Sequence, residues 1–385
     1  MAENMNMRSI TIERFTKEIQ EEIFDENYNP MIGIGKSGVG KTMSICELCK
    51  KNGYGYKEVR LVTMTETDMY GVPTVEEAAD GRKVTTWATN DIWPIAERDG
   101  DVGILVLDEI TSCSSTVRAA AFQLLDSKRS LGTYHLPDHW KIIALGNGAD
   151  DGGVYIGMEG AFLNRGTCYR IEPDLQSWKK WAIDSGVNSS VVAYLSFSPE
   201  SLHVFDPDAD VEVFPSPRSW TGLAAKLSKR EERAKGMLEL EDVEFYAAGL
   251  IGEIEASKFS AFYAYNKKTI SVTDILDGKA STDVSGFEAQ TMYLIIQGLV
   301  KEIGRTIDNN DITKANIAQD AGKPIVNAVK WLVGISNYKL DFSMTGISDL
   351  VAGCSKFTSI ALSSEFDVAC PEFLQFCIKN SIVAQ

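Results

Sequence analysis

Hydrophobic residues follow two regimes along the chain. Ile12, Phe15, Ile19 and Ile23 recur at helical spacing among charged neighbours, which predicts an amphipathic helix over Thr11–Phe24. The pattern then shortens. Pro30–Ile34, Glu58–Met64, Gly103–Leu107, Lys141–Leu145 and Cys168–Ile171 are compact apolar or β-branched runs separated by helical patterns or longer connections. Such runs read as strands, and those without a polar face belong in a sheet covered on both sides. With intervening helices they predict a five-stranded, mostly parallel α/β sheet. After Pro173 helical periodicity takes over. Ser177–Asp184 and Arg218–Lys229 read as helices, joined by a polar, Pro-bearing connection from Ser198 to Pro217. Val243, Ala247, Leu250, Ile254 and Phe262 continue the helical spacing. A loop beyond Lys267 leads to a helix over Phe287–Ile303, and Pro324 opens another that ends near Ile335. The expected organisation is an α/β core over residues 1–173, a helical segment over 174–266 and a mainly helical extension over 267–385.

Composition narrows the classes. At 385 residues the chain is long enough for two or three compact units. With 44% hydrophobic and 24% charged residues it has the balance of a globular protein. No apolar run approaches the length of a bilayer span, and Met1–Ser9 lacks an apolar signal core, so a cytoplasmic location without membrane association is expected. A formal net charge of −16 opposes generic attraction to nucleic-acid backbones, although a local basic patch can still line a ring pore. The seven cysteines fit reduced thiols better than a disulfide framework. Cys46 and Cys49 form a C-x-x-C, but no second pair stands at zinc-site spacing, and both fall on an expected buried helix. His135, His139 and His203 form neither a metal spacing nor a triad with a serine nucleophile. Trp87, Trp93 and Trp140 read as packing residues.

The chemistry concentrates at three strand ends. Gly35-Lys36-Ser37-Gly38-Val39-Gly40-Lys41-Thr42 fits G-x-x-x-x-G-K-[ST], directly after one expected strand and opening a helix. Glycines let backbone amides curve around phosphates, and the helix N-terminus favours an anion. Lys41 would reach the β- and γ-phosphate oxygens of ATP, and Thr42 would coordinate Mg²⁺. The run Ile104-Leu105-Val106-Leu107 ends in Asp108-Glu109 at the sheet edge where ligands bind. Asp108 would hold Mg²⁺ through its water shell, and Glu109 would polarise the attacking water. A third strand ends in Gly146-Asn147; Asn147 could orient that water or sense the γ-phosphate, and Gly-Asn-Gly also reads as a simple turn.

On these motifs the chain resembles the AAA+ superfamily, and specifically the MoxR-like ATPases, over roughly Ile10–Phe262. The resemblance implies a P-loop core, a helical lid and Asn147 as the polar residue called sensor 1. Leu131–Pro137 looks like the family's hairpin ahead of that sensor, and Thr65–Pro73 like the segment after the second strand. Ala161-Phe162-Leu163-Asn164-Arg165 resembles the helix end that delivers an arginine finger to a neighbouring subunit, with Asn164 where the family usually has Asp. Ser216-Pro217-Arg218 matches sensor 2 of the lid, placing Arg218 on the γ-phosphate. A guanidinium suits both roles because its fork pairs with phosphate oxygens. Arg118, Arg129 and Arg170 read as surface ion-pair residues. The resemblance further implies an ATP-hydrolysing ring, a hexamer by analogy, acting on a separate partner that bears a von Willebrand factor A domain. A nucleotide-gated scaffold with little hydrolysis and a DNA-directed motor are the competing readings. A GTPase is disfavoured, since Asn266-Lys267-Lys268-Thr269 lacks the acid of a guanine-reading motif.

Overall fold

A run such as Ile104–Leu107, apolar on both faces, is stable only between two layers, and the computed structural model buries all four of its residues completely. The structure describes residues 7–26, 29–149, 155, 164–206, 213–265 and 270–382. In chain order the described strands are β1 Arg8–Thr11, β2 Met31–Gly35, β3 Gly55–Arg60, β4 Val72–Glu77, β5 Lys83–Ala88, β6 Val102–Asp108, β7 Ser130–Leu131, β8 Tyr134–His135, β9 His139–Gly146 and β10 Thr167–Glu172. Six of them form one parallel sheet in the order β1-β10-β2-β9-β6-β3. β4–β5 and β7–β8 are separate antiparallel ribbons, the second overlapping the expected hairpin Leu131–Pro137 and starting one residue before it. The α/β core is thus as expected, with the sheet one strand wider.

The extra strand, β1, is a half-exposed edge strand of four residues. So short an element carries no hydrophobic alternation that would mark it as a strand. Its last residue, Thr11, also caps the next helix, Ile12–Glu22, by accepting from Arg14 N–H at 3.2 Å. β3 begins and ends earlier than the apolar pattern implied, and Leu61–Thr63 is a 3₁₀ turn rather than strand. The register follows from Trp140, which fills the space beside two glycines. A Cβ at Gly55 or at Gly103, paired residues of β3 and β6, would lie 2.6 Å from its indole ring. Trp93 and Trp140 are therefore packing residues as expected, whereas Trp87 on the β4–β5 ribbon is 41% exposed.

The chain divides into two compact units, Met1–Asp174 with Phe205–Asp210, and Leu175–Val204 with Val211–Gln385. The described elements of the second unit are helical. One of its two core clusters gathers Tyr194, Trp220 and Phe259, and the other lies around helix Ala289–Asn309. The long helical pattern from Val243 to Phe262 is two helices, Leu240–Ile251 and Glu253–Tyr263, because Gly252 turns the chain at φ 80°. A Cβ there would meet Val213 O at 2.8 Å. Within this unit the Lys179 ammonium reaches Asp349 Oδ2 at 2.7 Å, and Gln297 Nε2 donates to the same oxygen at 2.6 Å. The buried pair ties helix Leu175–Asp184 to helices Ala289–Asn309 and Leu340–Gly353.

Candidate functional site

The phosphate-type loop starts where β2 can go no further as a normal strand. All five residues of β2 are buried, and a Cβ at Gly35 would sit 2.1 Å from Ile171 O of the paired β10. Only glycine fits so close to a neighbouring backbone. The loop then turns through Gly38 at φ 78° and Gly40 at φ 99°, and helix Lys41–Asn52 begins without a side-chain cap. Its uncapped first turn offers backbone N–H groups and the positive end of the helix dipole to an anion. Lys41 is buried, and its Nζ donates to Gly35 O at 2.6 Å, Lys36 O at 2.9 Å and Asn147 Oδ1 at 3.0 Å. An ammonium has three N–H donors, so these contacts hold it over the loop mouth.

β6 delivers the acids beside this loop. Asp108 Oδ2 accepts from Thr42 Oγ1 at 2.9 Å, and its Oδ1 accepts from Glu109 N–H at 2.9 Å. The two oxygens thereby face different tasks. Hydroxyl and carboxylate together form an all-oxygen donor pair of the kind a hard divalent cation prefers. Glu109 leaves the strand with φ 59°, a left-handed backbone uncommon for a residue with a side chain. Its Oε2 accepts from Ser112 Oγ at 3.3 Å and from Asn147 Nδ2 at 3.4 Å. The Asn147 amide therefore spans Lys41 and Glu109. Its orientation is forced, because an ammonium only donates and a carboxylate only accepts.

Gly35–Thr42, Asp108, Glu109 and Asn147, distant in sequence, thus converge at one sheet edge, whereas the arginines are placed differently. Arg165 lies in the same unit, with its guanidinium over the Phe122 ring at 5.3 Å from the centroid. Ala161–Leu163 of that motif fall outside the described residues, as does Asn266–Thr269. Arg218 belongs to the other unit, in the first turn of helix Pro217–Ala234. Ser216 caps that helix and Pro217 opens it, which exposes Arg218 without a hydrogen-bond or ion-pair partner among the described residues. A cation at a helix N-terminus is opposed by the dipole, so local structure does not account for it.

Two of the arginines read as surface ion-pair residues bond backbone carbonyls. Arg118 is buried and donates to Cys113 O at 3.2 Å, bracing the loop that follows the acids. Arg129 donates to the backbone oxygens of Pro137, Asp138 and Trp140. Both cap backbone carbonyls, for which the sequence carries no charge signal. Arg170 does pair with a carboxylate, that of Glu172, at 2.8 Å. Thr111 and Ser112 were not singled out in the sequence, and their one signal was polar character beside Glu109. Cys49 is buried and its thiol is pushed up to about 12 by desolvation, which makes it unreactive.

Residues 30–158 match the family described as AAA domain, dynein-related subfamily. No curated protein matches the chain. Among solved structures, a Cytophaga hutchinsonii protein described as a candidate ATPase is 10% identical, with TM-score 0.30, covering 64% of this chain and 82% of its own. NtrX from Brucella abortus is 13% identical, with TM-score 0.34, covering 85% of this chain and 69% of its own. At such scores neither adds to what the family match and the sheet show. Residues 30–158 thus resemble an AAA domain, and the chain has the AAA+ fold, a P-loop α/β core followed by a helical C-terminal part.

Proposed function

We propose that this chain is an ATP-hydrolysing AAA+ motor of MoxR type, acting as a ring, a hexamer by analogy, on a protein partner bearing a von Willebrand factor A domain. The observation that carries the hydrolytic reading is the closed chain of contacts from Lys41 through Asn147 to Glu109 beside the Thr42–Asp108 pair. A loop that only bound phosphate would have no need of an acid tethered to its lysine. In this reading Gly35–Thr42 wrap the phosphates, and Lys41 exchanges a carbonyl contact for β- and γ-phosphate oxygens. Thr42 and Asp108 would hold Mg²⁺, which when bound neutralises charge on those oxygens. Glu109 orients a water and takes its proton as the water oxygen bonds to the γ-phosphorus and the bond to ADP breaks. Asn147 keeps Glu109 and the phosphate end in register.

Arg165 would complete the site of a neighbouring subunit and Arg218 would close on the γ-phosphate from the lid. The dipole-opposed position of Arg218, without a partner among the described residues, supports that role, since it leaves the guanidinium available. The reading divides the chain into a core over 1–173, a lid over 174–266 and an extension over 267–385. The test is Glu109→Gln in the assembled protein with Mg²⁺ and ATP. Turnover is expected to fall by about a hundredfold or more, the scale of losing a positioned proton acceptor, while nucleotide affinity stays close to wild type. Undiminished hydrolysis by this variant would remove Glu109 from the chemistry.

A further inference from the structure

The turn carrying Glu109 and the turn carrying Asn147 are joined by two hydrogen bonds that involve neither functional side chain. Ile110 N–H donates to Leu145 O at 2.9 Å, which prolongs the β6–β9 pairing past the end of β6. Asn147 N–H donates to Thr111 Oγ1 at 3.0 Å. Thr111 is completely buried, and the space for it exists because residue 146 is glycine. A Cβ at Gly146 would lie 2.6 Å from Thr111 Cγ2 and 2.7 Å from Oγ1. Methyl and hydroxyl of one β-branched side chain thus do two jobs: the methyl fills the gap over Gly146 and the oxygen accepts from the next amide.

We propose that Thr111 is a positioning residue for ATP hydrolysis, holding the Asn147 backbone where one amide can span Lys41 and Glu109. This rests on the hydrolytic roles proposed above for Glu109 and Asn147. The distances say why so small a contact matters. Asn147 Nδ2 lies 3.4 Å from Glu109 Oε2, already at the outer limit of a hydrogen bond, whereas Asn147 Oδ1 lies 3.0 Å from Lys41 Nζ. Drift of Asn147 by a few tenths of an ångström severs the first contact and leaves the second intact. Glu109 has a further reason to drift: its left-handed backbone is held by its surroundings rather than by its own preference. Thr111, two residues on, is part of what holds it. Losing the hydroxyl should therefore impair turnover and spare nucleotide binding.

The experiment compares Thr111→Val, which keeps the methyl and removes the acceptor, with Thr111→Ser, which keeps the acceptor. Each is made in the full-length chain, alone and in an Asn147→Ala background, with steady-state ATP hydrolysis and binding of a fluorescent ATP analogue as readouts. Thr111→Val should lower kcat about tenfold with KM and analogue affinity within about twofold of wild type, because the lost contact belongs to the reacting arrangement. Thr111→Ser should recover most of that loss. In the Asn147→Ala background Thr111→Val should cost nothing more, since the side chain it positions is gone. A wild-type kcat in Thr111→Val, equal losses in the Val and Ser variants, or full additivity with Asn147→Ala would each overturn the proposal. Should Thr111→Val not fold, Thr111→Ala takes its place with the same expected split between kcat and KM. Glu109→Gln, run alongside, separates the failures. If it hydrolyses ATP normally, the hydrolytic reading falls and the positioning role with it; if it is inactive while Thr111→Val is not impaired, only the positioning role falls.

Discussion

Replacing Lys179 by Met tests how the helical unit is held together. Lys179 and Asp349 are nearly inaccessible, with side-chain exposures of 7% and 10%, and lie 2.7 Å apart. Methionine fills a similar volume without charge, so the variant leaves Asp349 buried with Gln297 as its hydrogen-bond partner among the described residues. Breaking a buried pair from one side costs about 3–5 kcal/mol, because the surviving charge is uncompensated, whereas an exposed pair would cost less than about 1 kcal/mol. Burial already raises the Asp349 pKa, with Lys179 and Gln297 opposing the rise. Without Lys179 the carboxyl should shift further up. The sign follows: a folded acid with a raised pKa binds more protons than the unfolded chain, so the folded state gains stability as pH falls and loses it as pH rises through the folded pKa. Lys179→Met should therefore be destabilised most at high pH and recover part of the loss as pH falls. Urea unfolding at several pH values, read by tryptophan fluorescence, measures this, since Trp178, Trp181, Trp220 and Trp331 all lie in this unit. Adding Asp349→Leu should return stability to near wild type or above it, as apolar replacement of a whole buried pair often does. A loss below about 1 kcal/mol in the single variant, or no recovery at lower pH, would refute the reasoning.

Two more outcomes follow from the P-loop unit. Gly35→Ala drives a Cβ to 2.1 Å from Ile171 O, a backbone atom of a central strand that cannot yield cheaply. Unfolding by urea should show a loss of about 2–4 kcal/mol, the upper range for overpacking, together with loss of nucleotide binding; a loss under about 1 kcal/mol would mean that the strands separate easily there. Glu109→Gly relieves a left-handed backbone that costs a residue with a side chain about 1–2 kcal/mol, against about 0.5–1 kcal/mol of extra glycine entropy. A net gain of about 0.5–1 kcal/mol by the same assay, with turnover abolished, is expected; a destabilised variant would show that φ 59° is not strained.

Much of the P-loop unit could be read directly. Gly35–Thr42 is a contiguous pattern whose glycine positions and following helix are local properties, and apolar runs ending in Asp108 and Asn147 mark strand ends without reference to partners. β1 was not legible, because an exposed edge strand owes its conformation to the one neighbour it pairs with, β10. The break at Gly252 was equally hidden, since an apolar spacing of 3–4 residues continues across it. The carbonyl contacts of Arg118 and Arg129 were not legible, because a carbonyl acceptor, unlike a carboxylate, leaves no trace in residue type.

What the sequence alone determined is therefore the set of chemical groups and the order of elements that carry them: a phosphate loop, two acids, an amide, and helices after Pro173. Tertiary structure alone decided how those groups meet. Lys41 and Asn147 stand 106 positions apart yet share a hydrogen bond, and Glu109 and Asn147 do so across 38. Strand order brings them to one edge. Their separation within that edge is then set by contacts as small as that of the Thr111 hydroxyl with the Asn147 amide, which depend on the distance between two backbones and not on any pattern along one of them.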